Sequence, residues 1–264
     1  MKKRIISAII TIPLLLLVFY LGGIWLFLLI LLISIGGFNE LEGIIGNLGN
    51  GESSKPNKFI GYMGIFLIYL AFFYQSFNLF ILAITVVLLI SVAFKLAYFP
   101  RSKFLVFSTT LFSIFYITWT FGFLISIRNL PNGFYFVLFL LFVIWATDTG
   151  AYFTGISLGK NKLAPEVSPK KSIEGSIGGL IIAVIVSLII GMSVGLSFVL
   201  SLLVGIIVSI LSQLGDLMQS TLKRTANIKD SGNVIPGHGG LLDRFDSFLL
   251  APSVFYVILR LIEI

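Results

Sequence analysis

Phe134-Tyr-Phe-Val-Leu-Phe-Leu-Leu-Phe-Val-Ile-Trp-Ala-Thr-Asp-Thr-Gly-Ala-Tyr-Phe-Thr-Gly-Ile-Ser-Leu158 is a run of twenty-five residues with one carboxylate, Asp148, and no basic side chain. A helix needs roughly 17–25 predominantly apolar residues to cross a bilayer, and this run meets that length. It therefore reads as a transmembrane helix rather than a core helix of a soluble domain. An ionised carboxylate inside such a helix costs a few kcal/mol or more, so its retention makes Asp148 a candidate functional residue. The blander alternative places Asp148 at the membrane interface, paired with a nearby Lys or Arg.

The rest of the chain has the same character. Of 264 residues, 58% are apolar and 11% charged, and the mean hydropathy is +1.08. Soluble domains average about 45–50% apolar and about 25% charged. A single core cannot hide this much apolar surface, so the surplus faces lipid. Eight further runs are read as spans: Ile5–Tyr20, Ile24–Phe38, Phe59–Phe73, Phe77–Phe94, Phe104–Ile127, Gly175–Ser193, Leu196–Leu222 and Phe248–Ile262. The expectation is an all-α polytopic membrane protein of about nine helices. Lys2-Lys3-Arg4 opens the first span rather than a signal peptide, because no small-residue cleavage site follows and more spans do. Absence of cysteine excludes disulfide frameworks, thiolate catalysis and Cys-based metal sites.

The net charge of +7 would suggest a nucleic-acid partner in a soluble chain, but here Lys and Arg sit in short gaps between spans. Nine alternating spans with a cytoplasmic N-terminus put sixteen of the eighteen Lys and Arg inside and only Arg128 and Arg260 outside, as the positive-inside rule demands. No nucleic-acid partner is expected, and the long connections 159–174 and 223–247 face the cytoplasm. Two parts are expected: 1–128 with five spans, and 129–264 with four spans and both long loops. Glu40 and Glu42, just past the second run, are read as a solvated helix end, and Gly46–Lys58 as a plain polar loop.

Chemistry concentrates after Asn129. Asp216 interrupts a second apolar stretch in Ser212-Gln-Leu-Gly-Asp216, as Asp148 does in its own. Between Ser220 and Asp246 lie Lys223, Arg224 and Lys229, then Gly237, His238, Gly239 and Gly240, then Asp243, Arg244 and Asp246. Arg suits bidentate phosphate contacts and Lys a point-charge contact. The glycines let backbone N–H groups approach an anion closely. Asp243 and Asp246, three apart, would share a face if a helix began at Gly240, and paired oxygen ligands suit Mg²⁺. Each element is weak alone; their density is what points to phosphate and metal chemistry. His238, the only histidine, is equally readable as a polar loop residue. A second segment, Gly159–Gly175, carries Lys160, Lys162, Lys170 and Lys171 and reads either as an anchor for anionic lipid or as a holder of polyphosphate.

Ser220-x-x-Lys-Arg-x₄-Lys-Asp-x-Gly-x₃-Pro-Gly-His-Gly-Gly-x-x-Asp-Arg-x-Asp246 resembles the signature of the phosphatidate cytidylyltransferases. Thr147-Asp-Thr-Gly-Ala-Tyr152, Ser168-Pro-Lys-Lys171 with Glu174-Gly175, and Leu214-Gly-Asp216 resemble that family's other blocks in the same order. The likeness is close from Trp145 to Phe248 and general before that. It implies conversion of CTP and phosphatidate to CDP-diacylglycerol and pyrophosphate, with Mg²⁺ required, room for a second cation, and a homodimer in the membrane (the inner or plasma membrane of a bacterium). It implies metal ligation by Asp216, Asp243 and Asp246. Lys223, Arg224, Lys229, Asp230, His238 and Arg244 become catalytic, with Asp148 either binding metal or orienting a lysine. Lys160, Lys170, Lys171, Ser220, Gly239 and Gly240 become substrate contacts. Phosphatidate is already anionic near neutral pH, so His238 is a positioning group or phosphate donor rather than a base. The competing readings are another CTP-dependent lipid transferase or kinase, and a secondary transporter, for which no matching pair of broken helices is seen.

Overall fold

A computed structural model describes residues 13–48, 54–101, 103–232 and 239–262. Helix α1 covers residues 13–21 and is followed, across Gly22 and Gly23 with positive φ of 62° and 51°, by α2 (Gly23–Leu48). Then come α3 (Lys58–Phe73), α4 (Phe77–Ala97), α5 (Phe104–Arg128) and α6 (Gly133–Leu158). A hairpin of β1 (Lys162–Ala164) and β2 (Ser168–Ser172) precedes α7 (Ile173–Ser193) and α8 (Phe198–Thr225). Short 3-10 turns at Leu242–Arg244 and Asp246–Phe248 lead to α9 (Ala251–Leu261). The fold is helical, as expected, with one addition: the 159–174 connection folds as an antiparallel hairpin pairing Lys162 with Ser172 and Ala164 with Ser168. Pro165, Glu166 and Val167 form its tip, where Val167 N–H donates to Ala164 C=O at 3.2 Å.

Six helices, α2 and α4 to α8, are long and apolar enough to cross a membrane, so the chain is a polytopic membrane protein of about six spans among the described residues. The expected count was nine. The first run lies partly outside the described residues. Helix α3 has 16 residues and α9 only 11, or about 24 and 17 Å at 1.5 Å per residue, short of a hydrocarbon core of about 30 Å. The last run loses its start to the 3-10 turn around Ser247, and Pro252 takes the first turn of α9, where its missing N–H leaves no helical bond unmade.

Two compact units emerge. The first comprises Met1–Ser126 and Leu222–Arg244, so all of the signature segment but its two ends, Ser220-Thr221 and Phe245-Asp246, belongs with the N-terminal helices. Its core holds Phe38, Leu41, Ile65, Ile68, Ile114 and Phe121, all at most 1% exposed, and a polar link in which Ser34 Oγ meets Tyr69 Oη at 2.6 Å. In α4 only Ala83, Val87 and Ser91 are buried, one stripe at helical spacing; Leu82, Leu89 and Phe77 stay exposed, as lipid-facing residues should. Helix α2 corrects an expectation. It does not stop near Phe38 but runs ten residues further, because Leu41, Ile44 and Ile45 continue its buried face. Gly46 to Leu48, expected in a polar loop, belong to this helix.

The second unit comprises Ile127–Thr221 and Phe245–Ile264. Glycines allow α6 and α7 to approach closely. A Cβ at Gly179 would lie 2.6 Å from the Thr147 carbonyl oxygen, and one at Gly175 would lie 2.8 Å from that of Ala151. Farther along α7, Ser187 Oγ donates to Ser201 C=O on α8 at 2.6 Å, satisfying a buried hydroxyl. Phe136 and Phe139 of α6 close on Phe255 of α9, with ring centroids 6.4 and 5.4 Å away.

Candidate functional site

In the second unit, α6, the hairpin, the start of α7 and the later turns of α8 surround a cavity of about 520 Å³. Asp148, Lys170, Lys171, Gln213 and Asp216 supply its polar wall, and Tyr152, Ile156 and Leu163 its apolar one. The hairpin is held by α7. Ser172 caps that helix by accepting from Gly175 N–H at 3.1 Å, and Ile173 N–H donates to Asn161 C=O at 2.9 Å. Glu174 accepts from the backbone N–H of Lys160 (3.1 Å) and Asn161 (3.2 Å) and from Asn161 Nδ2 (2.7 Å). These bonds fix the strand that delivers Lys170 and Lys171. Ser176 donates to Gln213 Oε1, tying α7 to α8 beside the cavity.

Lys171 Nζ lies 2.6 Å from Asp216 Oδ2, with both side chains about a quarter exposed. Ser220, one turn on, donates to Asp216 Oδ1 at 3.3 Å. Ser247 Oγ reaches both oxygens of Asp148 at 3.3 Å, while its N–H donates to Asp246 Oδ1 at 2.9 Å. A Cβ at Gly215 would lie 2.7 Å from Asp246 C=O, so the turn bearing Asp246 sits directly on the α8 backbone one residue before Asp216. Asp148, Asp216 and Asp246 thus gather in one region. Among the described residues, however, no three or more His or carboxylate side chains come close enough to cage an ion.

The first unit holds a different cluster. Lys223 Nζ and Asp243 Oδ1 are 2.5 Å apart, with side chains only 9% and 8% exposed. Asp243 Oδ2 accepts from Ser231 N–H at 2.8 Å and Gly240 N–H at 3.0 Å. Burial opposes its ionisation, but the bonds from Lys223, Ser231 and Gly240 outweigh burial and hold its carboxyl below the usual range. The expected helix from Gly240 does not form. Two 3-10 turns take its place, with Asp243 in the first and Asp246 in the second, because Asp243 is drawn back onto the Ser231 and Gly240 backbone. Gly239 has φ of +85°, a conformation that glycine adopts without strain.

Other expected residues are more exposed. Arg224 is exposed and donates to Ile228 C=O at 3.0 Å, closing the end of α8, where Asn227 takes a positive φ of 56°. Lys160, Lys229, Asp230 and Arg244 are exposed. His238 and Gly237 lie outside the described residues.

Sequence reading missed Glu40. Expected at a solvated helix end, it is 7% exposed and takes three hydrogen bonds from the signature segment: Leu241 N–H (2.7 Å), Leu242 N–H (2.9 Å) and Ser231 Oγ–H (2.7 Å). The signal lay in its surroundings, an acid flanked by Phe38 and Leu41 on a continuing apolar face, the same pattern that marked Asp148. Ser247, Ser176 and Gln213 were also missed, and serine and glutamine in an apolar helix carry no comparable mark.

Compared with known proteins, residues 2–262 match the model of the cytidylyltransferase family. The chain belongs to that family. Among relatives of this family member, a Bacillus subtilis protein named phosphatidate cytidylyltransferase is 39% identical over 149 residues, 55% of each chain. A Staphylococcus saprophyticus protein of the same name is 36% identical over 151 residues, 56% of this chain and 57% of that one. A Staphylococcus aureus protein, also so named, is 34% identical over 140 residues, 52% and 54% of the two chains. The aligned stretch thus spans about half the length of the curated relatives it matches.

Proposed function

We propose that this chain is a phosphatidate cytidylyltransferase, transferring the cytidylyl group of CTP to phosphatidate to give CDP-diacylglycerol and pyrophosphate. The observation that carries this reading is the cavity of the second unit. It sets two carboxylates and two lysines against an apolar wall within a helical membrane protein, chemistry suited to a polyphosphate on one side and a lipid on the other. Family membership and the names of the relatives support it. In the reaction, a phosphatidate oxygen attacks the α-phosphorus of CTP in line, and the bond to the bridging oxygen of pyrophosphate breaks. Positioning and charge neutralisation supply most of the catalysis in such transfers. Lys170 and Lys171 meet phosphate oxygens and offset their charge. Tyr152 and Ile156, exposed on the cavity's apolar wall, face the acyl chains.

The donor set fits Mg²⁺. All its candidate ligands are hard oxygens, and that ion typically needs one or two carboxylates with water and substrate phosphate completing the shell. Asp216 and Asp246 would hold it, with Asp148 and Ser247 orienting them and leaving room for a second cation; when bound, Mg²⁺ neutralises charge on the phosphates. Asp243, also expected as a ligand, has both oxygens engaged by Lys223, Ser231 and Gly240, and in this reading shapes the turn that precedes Asp246.

The distribution of basic residues supports a cytoplasmic N-terminus and cytoplasmic loops 159–174 and 223–247, where a soluble nucleotide has access. In this reading short helices α3 and α9 and the first run complete nine crossings, and the family resemblance adds a homodimer. The test is pyrophosphate release by the detergent-purified chain with CTP and phosphatidate, with and without Mg²⁺, beside ATP and GTP. Metal-dependent release confined to CTP or dCTP, lost in Asp216→Asn, is the expected result. Turnover with a different lipid phosphate or a lipid alcohol would discard phosphatidate as substrate, and silence with every acceptor would refute nucleotidyl transfer.

A further inference from the structure

We infer that Glu40 is a positioning residue: its buried carboxylate clasps two stems of the signature segment and so fixes Gly239, Gly240 and Asp243 in the geometry that transfer needs. One stem is Ser231-Gly232 and the other Gly239 to Leu242. Glu40 Oε1 accepts from Leu241 N–H, and Oε2 accepts from Leu242 N–H and from Ser231 Oγ–H, all at 2.7–2.9 Å. Two successive backbone N–H groups and a hydroxyl converging on one carboxylate form a nest suited to an anion. A carboxylate buried in a bilayer-length helix is tolerated only where such donors meet it.

The glycines bear this out. A Cβ on Gly240 would lie 2.5 Å from Glu40 Oε2, and one on Gly232 would lie 2.9 Å from Oε1. Neither position has room for a side chain, because the carboxylate, and at Gly240 also Ser231 Oγ, fills the space it would take. Asp243 grips the same stems from the other side, through Ser231 N–H and Gly240 N–H, and is itself held by Lys223. The stems are therefore fixed by two carboxylates, one from α2 and one from the segment itself. A tie meant only to hold a chain in place could use a neutral amide. An acid presenting two acceptor oxygens orients adjacent N–H groups together and sets the direction of the turn that follows.

This inference rests on the proposed transferase for its kinetic arm and stands without it for its structural arm. The variants are Glu40→Gln, Glu40→Ala and Ser231→Ala, with Glu42→Gln as control, since Glu42 pairs with Lys58 across 2.9 Å near the end of the same helix. Amide exchange by mass spectrometry of the peptide covering 239–245, in detergent, should speed by about tenfold or more in Glu40→Gln, as loss of a charge-assisted bond implies. The kcat per folded protein with CTP and phosphatidate should fall by about tenfold or more with the KM for CTP within about threefold, the signature of lost transition-state positioning. Ser231→Ala should show a smaller change in the same direction, and the control none. Unchanged exchange, or faster exchange with wild-type kcat, would overturn the proposal. If Glu40→Ala does not accumulate, Glu40→Gln and Ser231→Ala decide. If the wild-type chain does not turn over CTP with phosphatidate, the transferase reading fails and exchange alone decides the clasp.

Discussion

Replacing Asp243 by Asn should destabilise the first unit far more than its size-neutral chemistry suggests. The change removes the carboxylate from a Lys223 ammonium 2.5 Å away, in a place where both side chains are below 10% exposed. Breaking one side of a buried ion pair costs about 3–5 kcal/mol, because the remaining charge is neither solvated nor matched. Lys223→Met is milder, about 1.5–3 kcal/mol, since the orphaned carboxylate keeps the Ser231 and Gly240 N–H donors. In the double variant neither charge remains and Asn Oδ1 can still accept from the backbone, so the loss should fall well short of the sum, giving a coupling of about 2–3 kcal/mol. The assay is unfolding in mixed detergent micelles read by tryptophan fluorescence; Trp25 and Trp119 both lie in this unit. Additivity within about 0.5 kcal/mol would mean that the two side chains do not interact and would refute the argument.

Two further outcomes concern Asp243 and the seam between α6 and α7. Asp243 holds its proton less tightly folded than unfolded, so its stabilisation is complete above the unfolded value of about 3.9 and is lost as pH falls through the lower folded value. The unfolding midpoint should therefore show an acid limb below about pH 4 that Asp243→Asn lacks, and no contribution from this group between about pH 5 and 8. Gly179→Val should lower the yield of folded protein on size exclusion, through about 1–3 kcal/mol of overpacking, because its Cβ would meet the Thr147 carbonyl oxygen at 2.6 Å; Gly43→Ala, with nothing within 4 Å, should leave that yield unchanged.

Much of the architecture was legible because lipid imposes a length and a composition on any helix that crosses it. Run length alone located α4 to α8 to within a few residues. It failed where local rules took over from that constraint. Helix α2 outran its apolar stretch because its buried face continued past an acid, and the Phe248–Ile262 run shrank to α9 because a 3-10 turn consumed its first residues. The hairpin was invisible because Lys162–Ser172 has neither alternation nor a two-residue turn; its register comes from bonds to α7. At the site, Asp148, Asp216 and Lys171 were visible as charges out of place or as motif positions. Glu40 was not, since its role depends on partners some two hundred residues away, a separation no spacing rule spans. The pairing of Lys223 with Asp243 was equally hidden, because both were read by residue type as facing ligands and not each other.

The glycine seam between α6 and α7 has a consequence for how this scaffold can change. Where Gly175 meets the main chain of α6, part of the cavity's boundary is built from backbone, which substitution can crowd but cannot carve. In the proposed transferase, divergence in the lipid accepted falls to the replaceable side chains of the same lining, Tyr152, Ile156 and Leu163, which can be exchanged singly. Diversity in headgroup or chain can accumulate there while the distance between the two helices, and with it the placement of Asp148, stays constant.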